Sequence, residues 1–521
     1  MSDIDALVER SLAAETEAAF TDRVDEQAAA LREAIDAGEM DNGEFAVGLE
    51  MEVYAVARPE DAGRPADTAD EPRDGTLARL PTDVFDSAAN KELGLHNAEL
   101  NTDPNVLDGD GLATQADSIA DRFEDGQTAA REQDRELVLD AMWTIPPTEG
   151  STEYINGIDW HADVAVARNM RPAPRYVAID NHARRLAGGE LPFDVPGAEH
   201  TFQTILFESL ATSIQPHLQI PSAEAFPDYY NAAIRTLGPL LALSANSPFL
   251  PADCYNAVSD PYALVEGTHH ELRIAAFEQS VNHTAADKVR VPRDITDTTD
   301  VVDRVVADDI YAPFLREWVH DGDRETFHDA HWEFDHKRGT YWRWLRCVVG
   351  GDPVGTGDER SLRIEYRPIP TQPTIRDVVG MQALTAGLIR GLVVADHPLA
   401  ELPWHDAEHS FYAAVENGLD ADLSWVTANG EGTTDSETIF AEVFEYARTG
   451  LRESGVDDAD IDHYLGPIEA RWKHETTPSA WKKARVREGL DEGLALSMAI
   501  EEMQREYIRT SRRRSSFAEW L

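Results

Sequence analysis

The run Ala46-Val-Gly-Leu-Glu-Met-Glu-Val-Tyr-Ala55 decides how this chain is read. It is apolar and β-rich, and it is bounded by Asp41-Asn42-Gly43 before and Arg58-Pro59 after, which predicts a strand. Side chains alternate along a strand, so Glu50 and Glu52 project from one face. Two carboxylates that close repel unless a cation lies between them. A hard divalent metal with oxygen ligands meets that need. The competing reading of this stretch is a strand with a wet edge, on which both glutamates only meet water.

Further segments carry similar groups. Glu99 lies in His96-Asn97-Ala98-Glu99-Leu100-Asn101, a short strand-like piece ending at Asp103-Pro104-Asn105. In Ser361-Leu-Arg-Ile-Glu-Tyr-Arg367 the alternation puts Arg363, Glu365 and Arg367 on one face. That pattern is either an ion-pair ladder or a metal-binding Glu365 beside arginines that grip a phosphate or carboxylate, a task suited to the planar guanidinium fork. His217 and Gln219 share a face of a strand expected over Pro216–Ile220. Asn246 and Ser247, in Leu241-Ala-Leu-Ser-Ala-Asn-Ser-Pro-Phe249, either cap a helix end or line a pocket. Arg273 in Glu271-Leu-Arg-Ile274 reads as an ion pair with a nearby acid or as a phosphate contact. No Gly-x-x-x-x-Gly-Lys-Ser/Thr loop occurs. His405-Asp-Ala-Glu-His409 formally matches a zinc-protease pattern, but Pro403 just before it signals a helix start rather than a helix interior.

Charge sets the setting. The chain of 521 residues has 97 acidic against 46 basic residues, a formal net of −51, and lysine is nearly absent. The acid is dispersed rather than gathered in a tail, as expected for a protein working in molar salt, where the Debye length is about 3 Å. The expected location is the cytoplasm of a halophile. Nucleic acid is disfavoured as a partner, since only Arg512-Arg513-Arg514 forms a basic run. Two cysteines, Cys254 and Cys347, make no disulfide framework. No membrane partner is expected: no run reaches the roughly 18 apolar residues of a spanning helix, and Arg390 interrupts the most apolar stretch, Met381 to Ala395.

Residues 1–40 read as one or two helices, 41–425 as the catalytic body and 430–521 as a helical C-terminal extension, with Ala428-Asn-Gly-Glu-Gly-Thr433 as a linker. The stretch 59–76 reads as a polar loop, Asp110 to Trp143 as a long helix leading to a strand near Ala141–Ile145, and Pro227–Leu243 and Thr374–Val394 as helices.

The order of these motifs resembles the glutamate–cysteine ligase/carboxylate–amine ligase family. Gly48-Leu-Glu-Met-Glu52, Glu99, His217-x-Gln219, Ala242-Leu-Ser-Ala-Asn-Ser-Pro248, Arg363-x-Glu365-x-Arg367 with Gln372-Pro-Thr374, and Asn417-Gly-Leu-Asp420 carry the likeness, over about residues 40 to 425. The resemblance implies an α+β fold similar to the catalytic domain of glutamine synthetase, a curved, mainly antiparallel sheet with helices on its outer face. It implies an ATP-dependent ligase joining the γ-carboxyl of glutamate to an amine such as cysteine through an acyl phosphate. Glu50, Glu52, Glu99 and Glu365 would then hold Mg²⁺. Arg363, Arg367 and His217 would act on the reacting groups, and Gln219, Asn246, Ser247 and Arg273 would bind nucleotide. Both substrates are small molecules, and a homodimer is left open. Three positions depart from the pattern: Pro370 stands where relatives commonly carry Asp, Gln219 replaces a second histidine, and Glu416 replaces an arginine. They bear on the choice of amine. A non-catalytic nucleotide-binding relative, or a metal-dependent hydrolase using His405 and His409, are the alternatives.

Overall fold

The structure is a computed structural model describing residues 2–58, 75–87, 89–320, 322 and 324–521. The loop expected at 59–76 lies outside the described residues except for its last two.

An eight-stranded, curled antiparallel sheet organises the chain. Its strands are β1 (Ala46–Ala57), β2 (Asn90–Lys91), β3 (Asn97–Asn101), β4 (Asn105–Val106), β5 (Arg135–Val138), β6 (Ile214–Ile220), β7 (Leu345–Val349) and β8 (Leu362–Tyr366). The opening run is the axis. β1 pairs along one edge with β6 and then β5, and along the other with β4 and then β3. Beyond β6 come β8 and then β7, and beyond β3 comes β2. The pleat sorts β1 as its sequence demands. Val47, Leu49, Met51 and Val53 are fully buried among the helices, while Gly48, Glu50 and Glu52 share the opposite face.

Helices Gly109–Arg131, Phe226–Ser244, Ile375–Val394 and Trp404–Asn417 pack together behind the sheet. Ile375–Val394 is long and apolar enough to cross a bilayer, contrary to the expectation that no run would be, yet 83% of its most apolar window is buried in this core. The helix after Asp110 ends at Arg131, and the strand that follows is β5 rather than Ala141–Ile145, because Asp134 turns the chain in a left-handed conformation (φ 55°).

Two helices, Ser2–Ser11 and Ala14–Asp36, lead the chain, and four close it: Ser436–Glu453, Asp458–Lys473, Pro478–Asp491 and Leu496–Ser511. The expected linker is a hairpin, Trp425–Val426 against Gly432–Thr433. The closing helices complete the core. Helix Ser436–Glu453 crosses Ile375–Val394 where Gly391 and Gly450 face each other's backbones so closely that a Cβ on either would collide. Arg471, fully buried, donates to Asp377 (3.0 Å), Gln372 (2.6 Å) and the Leu243 carbonyl (3.1 Å). Lys482 pairs with Asp140, which also accepts from Gln504 at 2.6 Å.

Candidate active site

Sheet register assembles the acidic face. Glu52 stands opposite Glu99, and Glu50 stands opposite Asn101 on one side and Gln215 on the other. His217 pairs with Gly48 and with Glu365, and Arg346 pairs with Glu365. Because register neighbours on adjacent strands point the same way, these side chains form one polar surface. Two further carboxylates join it: Glu92, just after β2, and Glu208, from the short 3₁₀ helix Ile205–Leu210. The surface floors a cavity of about 660 Å³ lined by Glu50, Glu52, Glu92, Glu99, Glu208 and Arg367 among others.

Two sets of three residues come close enough to share an ion. In Glu50, His217 and Glu365, and again in Glu52, Glu92 and Glu99, one ligand atom from each residue lies within 4.8 Å of the others. Burial, then repulsion from Glu99 and Glu365, pushes the Glu50 carboxyl up to about 8. Burial and Glu99 raise Glu52 to about 7, although Glu52 accepts a bond from the Ser213 amide at 2.7 Å. Burial also raises Glu92, Glu99 and Glu208, the last to about 8. Glu365 behaves in the opposite way. Its burial opposes ionisation, but Arg346, donating at 2.7 Å, and Arg367, in direct contact, hold it well below the ordinary carboxylate range.

Burial, reinforced by Arg363, lowers His217 to about 3, so its ring is neutral with a lone pair to give. Its Nε2 lies 3.4 Å from Glu50 Oε1 and has no hydrogen-bond partner among the described residues. Crowded carboxylates that resist ionisation beside an unpartnered imidazole nitrogen are a donor set short of cations. Oxygen-rich and hard, it fits Mg²⁺ or Mn²⁺ better than a thiophilic metal.

The remaining predicted residues fall into three places. Arg363 and Gln219 line a smaller cavity of about 230 Å³ on the other side of Glu50 and His217, where Gln219 donates to Asn42 (2.8 Å) and the Glu44 carbonyl (3.0 Å). Arg367 lies in the larger cavity and donates to Gln215 at 2.6 Å. Asn246, Ser247 and Arg273 line neither cavity. Asn246 donates to the Thr371 carbonyl (2.8 Å), Ser247 to Glu271 (2.6 Å), and Arg273 sits 3.3 Å from Glu271 while donating to the Pro368 carbonyl. They form a buried lattice behind the site. His405 is largely exposed beside Asp406, and neither it nor His409 joins either metal-capable set.

Sequence reasoning missed Glu92, Glu208 and Arg346. Arg346 carried a signal, a lone charge inside the apolar run Trp344-Leu-Arg-Cys-Val-Val349. Glu92 and Glu208 lie outside any regular strand and carried none.

Residues 46–513 match glutamate-cysteine ligase family 2 (GCS2). The chain belongs to that family. The match runs well past residue 425, where the motif resemblance stops, so it takes in most of the C-terminal helices. As a family member the protein is a ligase that joins a carboxylate to an amine. A search of curated proteins finds no match. Among solved structures it is similar to glutamate–cysteine ligase from Francisella tularensis in complex with AMP, at 13% identity and TM-score 0.49 over 91% of this chain and 90% of that one. It is also similar to a bifunctional glutathione synthetase from Pasteurella multocida, at 13% identity and TM-score 0.47 over 91% of this chain and 53% of that one. A third likeness is to the complex of the ubiquitin-like protein Pup with its ligase PafA, at 10% identity and TM-score 0.36 over 89% of this chain and 72% of that one.

Proposed function

We propose that the protein joins the γ-carboxyl of glutamate to an amine such as cysteine at the expense of ATP, through a γ-glutamyl phosphate. The observation that carries this reading is the pair of three-residue ligand sets along the sheet, of which Glu50, Glu52, Glu92 and Glu99 line a cavity shared with Arg367. A carboxylate is a poor electrophile. Moving the terminal phosphoryl of ATP onto it creates a leaving group, the amine attacks the carbonyl carbon, and phosphate departs. Such transfer depends on positioning and charge stabilisation more than on covalent chemistry by the protein.

In this reading Glu50, His217 and Glu365 hold one magnesium ion, and Glu52, Glu92 and Glu99 a second. Bound there, magnesium supplies positive charge that offsets the negative charge of the phosphates. Arg367 is fixed by Glu365 and Gln215, so its guanidinium is preorganised to face the transferring phosphoryl or the glutamate carboxylate. Arg346 positions Glu365 and keeps it ionised. Arg363, beside the smaller cavity, meets phosphate from the other side of Glu50. The dispersed charge of −51 supports a high-salt cytoplasm as the setting.

ADP release is the test, measured in molar salt with magnesium, glutamate and each amino acid or polyamine in turn. Release that depends on one acid and one amine supports the reading. ATP binding without release under any combination defeats it and favours a non-catalytic relative.

A further inference from the structure

Four guanidiniums line the larger cavity, and one differs from the rest. Arg338 sits 3.2 Å from Asp335, Arg346 sits 2.7 Å from Glu365, and Arg367 touches Glu365. Arg175, at the start of helix Pro174–Leu186, makes no ion pair among the described residues, and its Nε is buried without a hydrogen-bond partner. Burial draws it below the ordinary guanidinium range, and its titratable neighbours are the Tyr176 phenol, Arg338 and Glu92. A half-buried cation without an ion-pair partner, at the wall of a cavity, suits an anion there.

Gly339 lies against the guanidinium. Its backbone (φ −62°, ψ −14°) suits any residue, so conformation does not require glycine there. A Cβ at 339 would push aside Nη2 of Arg175, the far end of a flexible side chain, and stand 3.1 Å from its Cζ. The guanidinium therefore occupies the place of the missing side chain. Phe277, Phe314, Trp332 and Trp342 line the same cavity, an apolar wall that limits competing water.

We propose that Arg175 anchors the α-carboxylate of an amino-acid substrate, through paired N–H···O bonds from its planar fork. The proposal rests on the ligase reading and deepens it: at least one reactant is an α-amino acid, recognised at a group that does not react. The carboxylate belongs either to the glutamate or to the amine, and the experiment separates them.

KM is measured for L-glutamate, 4-aminobutyrate, L-cysteine and cysteamine, in molar salt, with wild type, Arg175→Gln and Arg175→Lys. The expected result is a rise of about 10- to 100-fold in KM for one amino acid in Arg175→Gln. The analogue of that amino acid lacking the α-carboxylate keeps the same KM in both proteins, and Arg175→Lys lies between. If the shift falls on glutamate, the anchor holds the acid; if it falls on cysteine, it holds the amine. Gly339→Ala, which displaces the guanidinium without removing it, raises the same KM. Unchanged KM values for both amino acids in Arg175→Gln overturn the proposal.

Titration calorimetry of L-glutamate and L-cysteine with each protein gives a readout independent of turnover. If the wild type releases no ADP, the ligase reading falls, while binding lost in Arg175→Gln still supports the anchor. Equal binding by wild type and Arg175→Gln, or no binding by the wild type, overturns it.

Discussion

Glu52 and Glu99 stand directly opposite each other on neighbouring antiparallel strands, with both side chains on the cavity face. Like charges so placed destabilise a sheet. Here the arrangement is compounded by Glu50, Glu92 and Glu208, whose carboxyls resist ionisation, and the proposed cations would neutralise it.

Replacing one of this pair tests that claim. Glu52→Gln keeps the shape and its bond from the Ser213 amide, and removes a charge that resists burial. The expected outcome is a folded protein at least as stable as the wild type without magnesium, with ADP release reduced about a hundredfold or more. Circular dichroism and a coupled ADP assay check the two halves. Turnover within twofold of the wild type would remove the metal role of Glu52.

The pH dependence of metal-free protein follows from the same groups. Folded Glu50 and Glu52 take up protons more readily than their unfolded counterparts at 4.5, since they are raised to about 8 and about 7. Between those limits the folded state binds more protons than the unfolded one, so stability falls as pH rises from about 4.5 to about 8, then levels off. Magnesium, held as proposed, would bind the ionised form and restore stability at the upper end. Thermal melts in molar salt with EDTA, and again with magnesium, should show Tm falling with pH only in the first series.

Salt gives a third outcome. With a net charge of −51, lowering salt from molar to about 0.1 M lengthens screening from about 3 to about 10 Å. Ellipticity is expected to fall, with mutual repulsion of the acidic surface as the cause. An unchanged spectrum across this range would dismiss adaptation to high salt.

The closing helices supply a fourth. Arg471→Ala leaves Asp377 buried without its ion-pair partner, which costs about 3–5 kcal/mol. Denaturant titration in high salt measures the loss. Truncation after residue 430 removes Arg471 and Lys482 together and exposes the glycine-marked crossing of helices, so the shortened chain is expected to aggregate.

Much of the fold was readable locally. β1 showed its period-two alternation, and helices Phe226–Ser244 and Ile375–Val394 showed sustained apolar runs. The hairpin at Trp425–Thr433 read as a linker because its turn residues, Asn429-Gly430, serve either purpose. Asn246, Ser247 and Arg273 carried polar groups suited to a pocket, yet their partners, Glu271, Thr371 and Pro368, are protein groups that no local pattern brings to mind.

Alternation alone determined that Glu50 and Glu52 share a face, because a strand's period is a property of its own backbone. It did the same for Arg363, Glu365 and Arg367. Which carboxylates then meet was decided by register and by connections far apart in the chain: Glu52 with Glu99, His217 with Glu365, and Glu92 and Glu208 closing in from outside the strands. Register depends on how whole strands bury their opposite faces against the helices, and the vacancy at Gly339 has meaning only once Arg175 lies against it. Such relations belong to packing between distant segments, and no single stretch of sequence contains them.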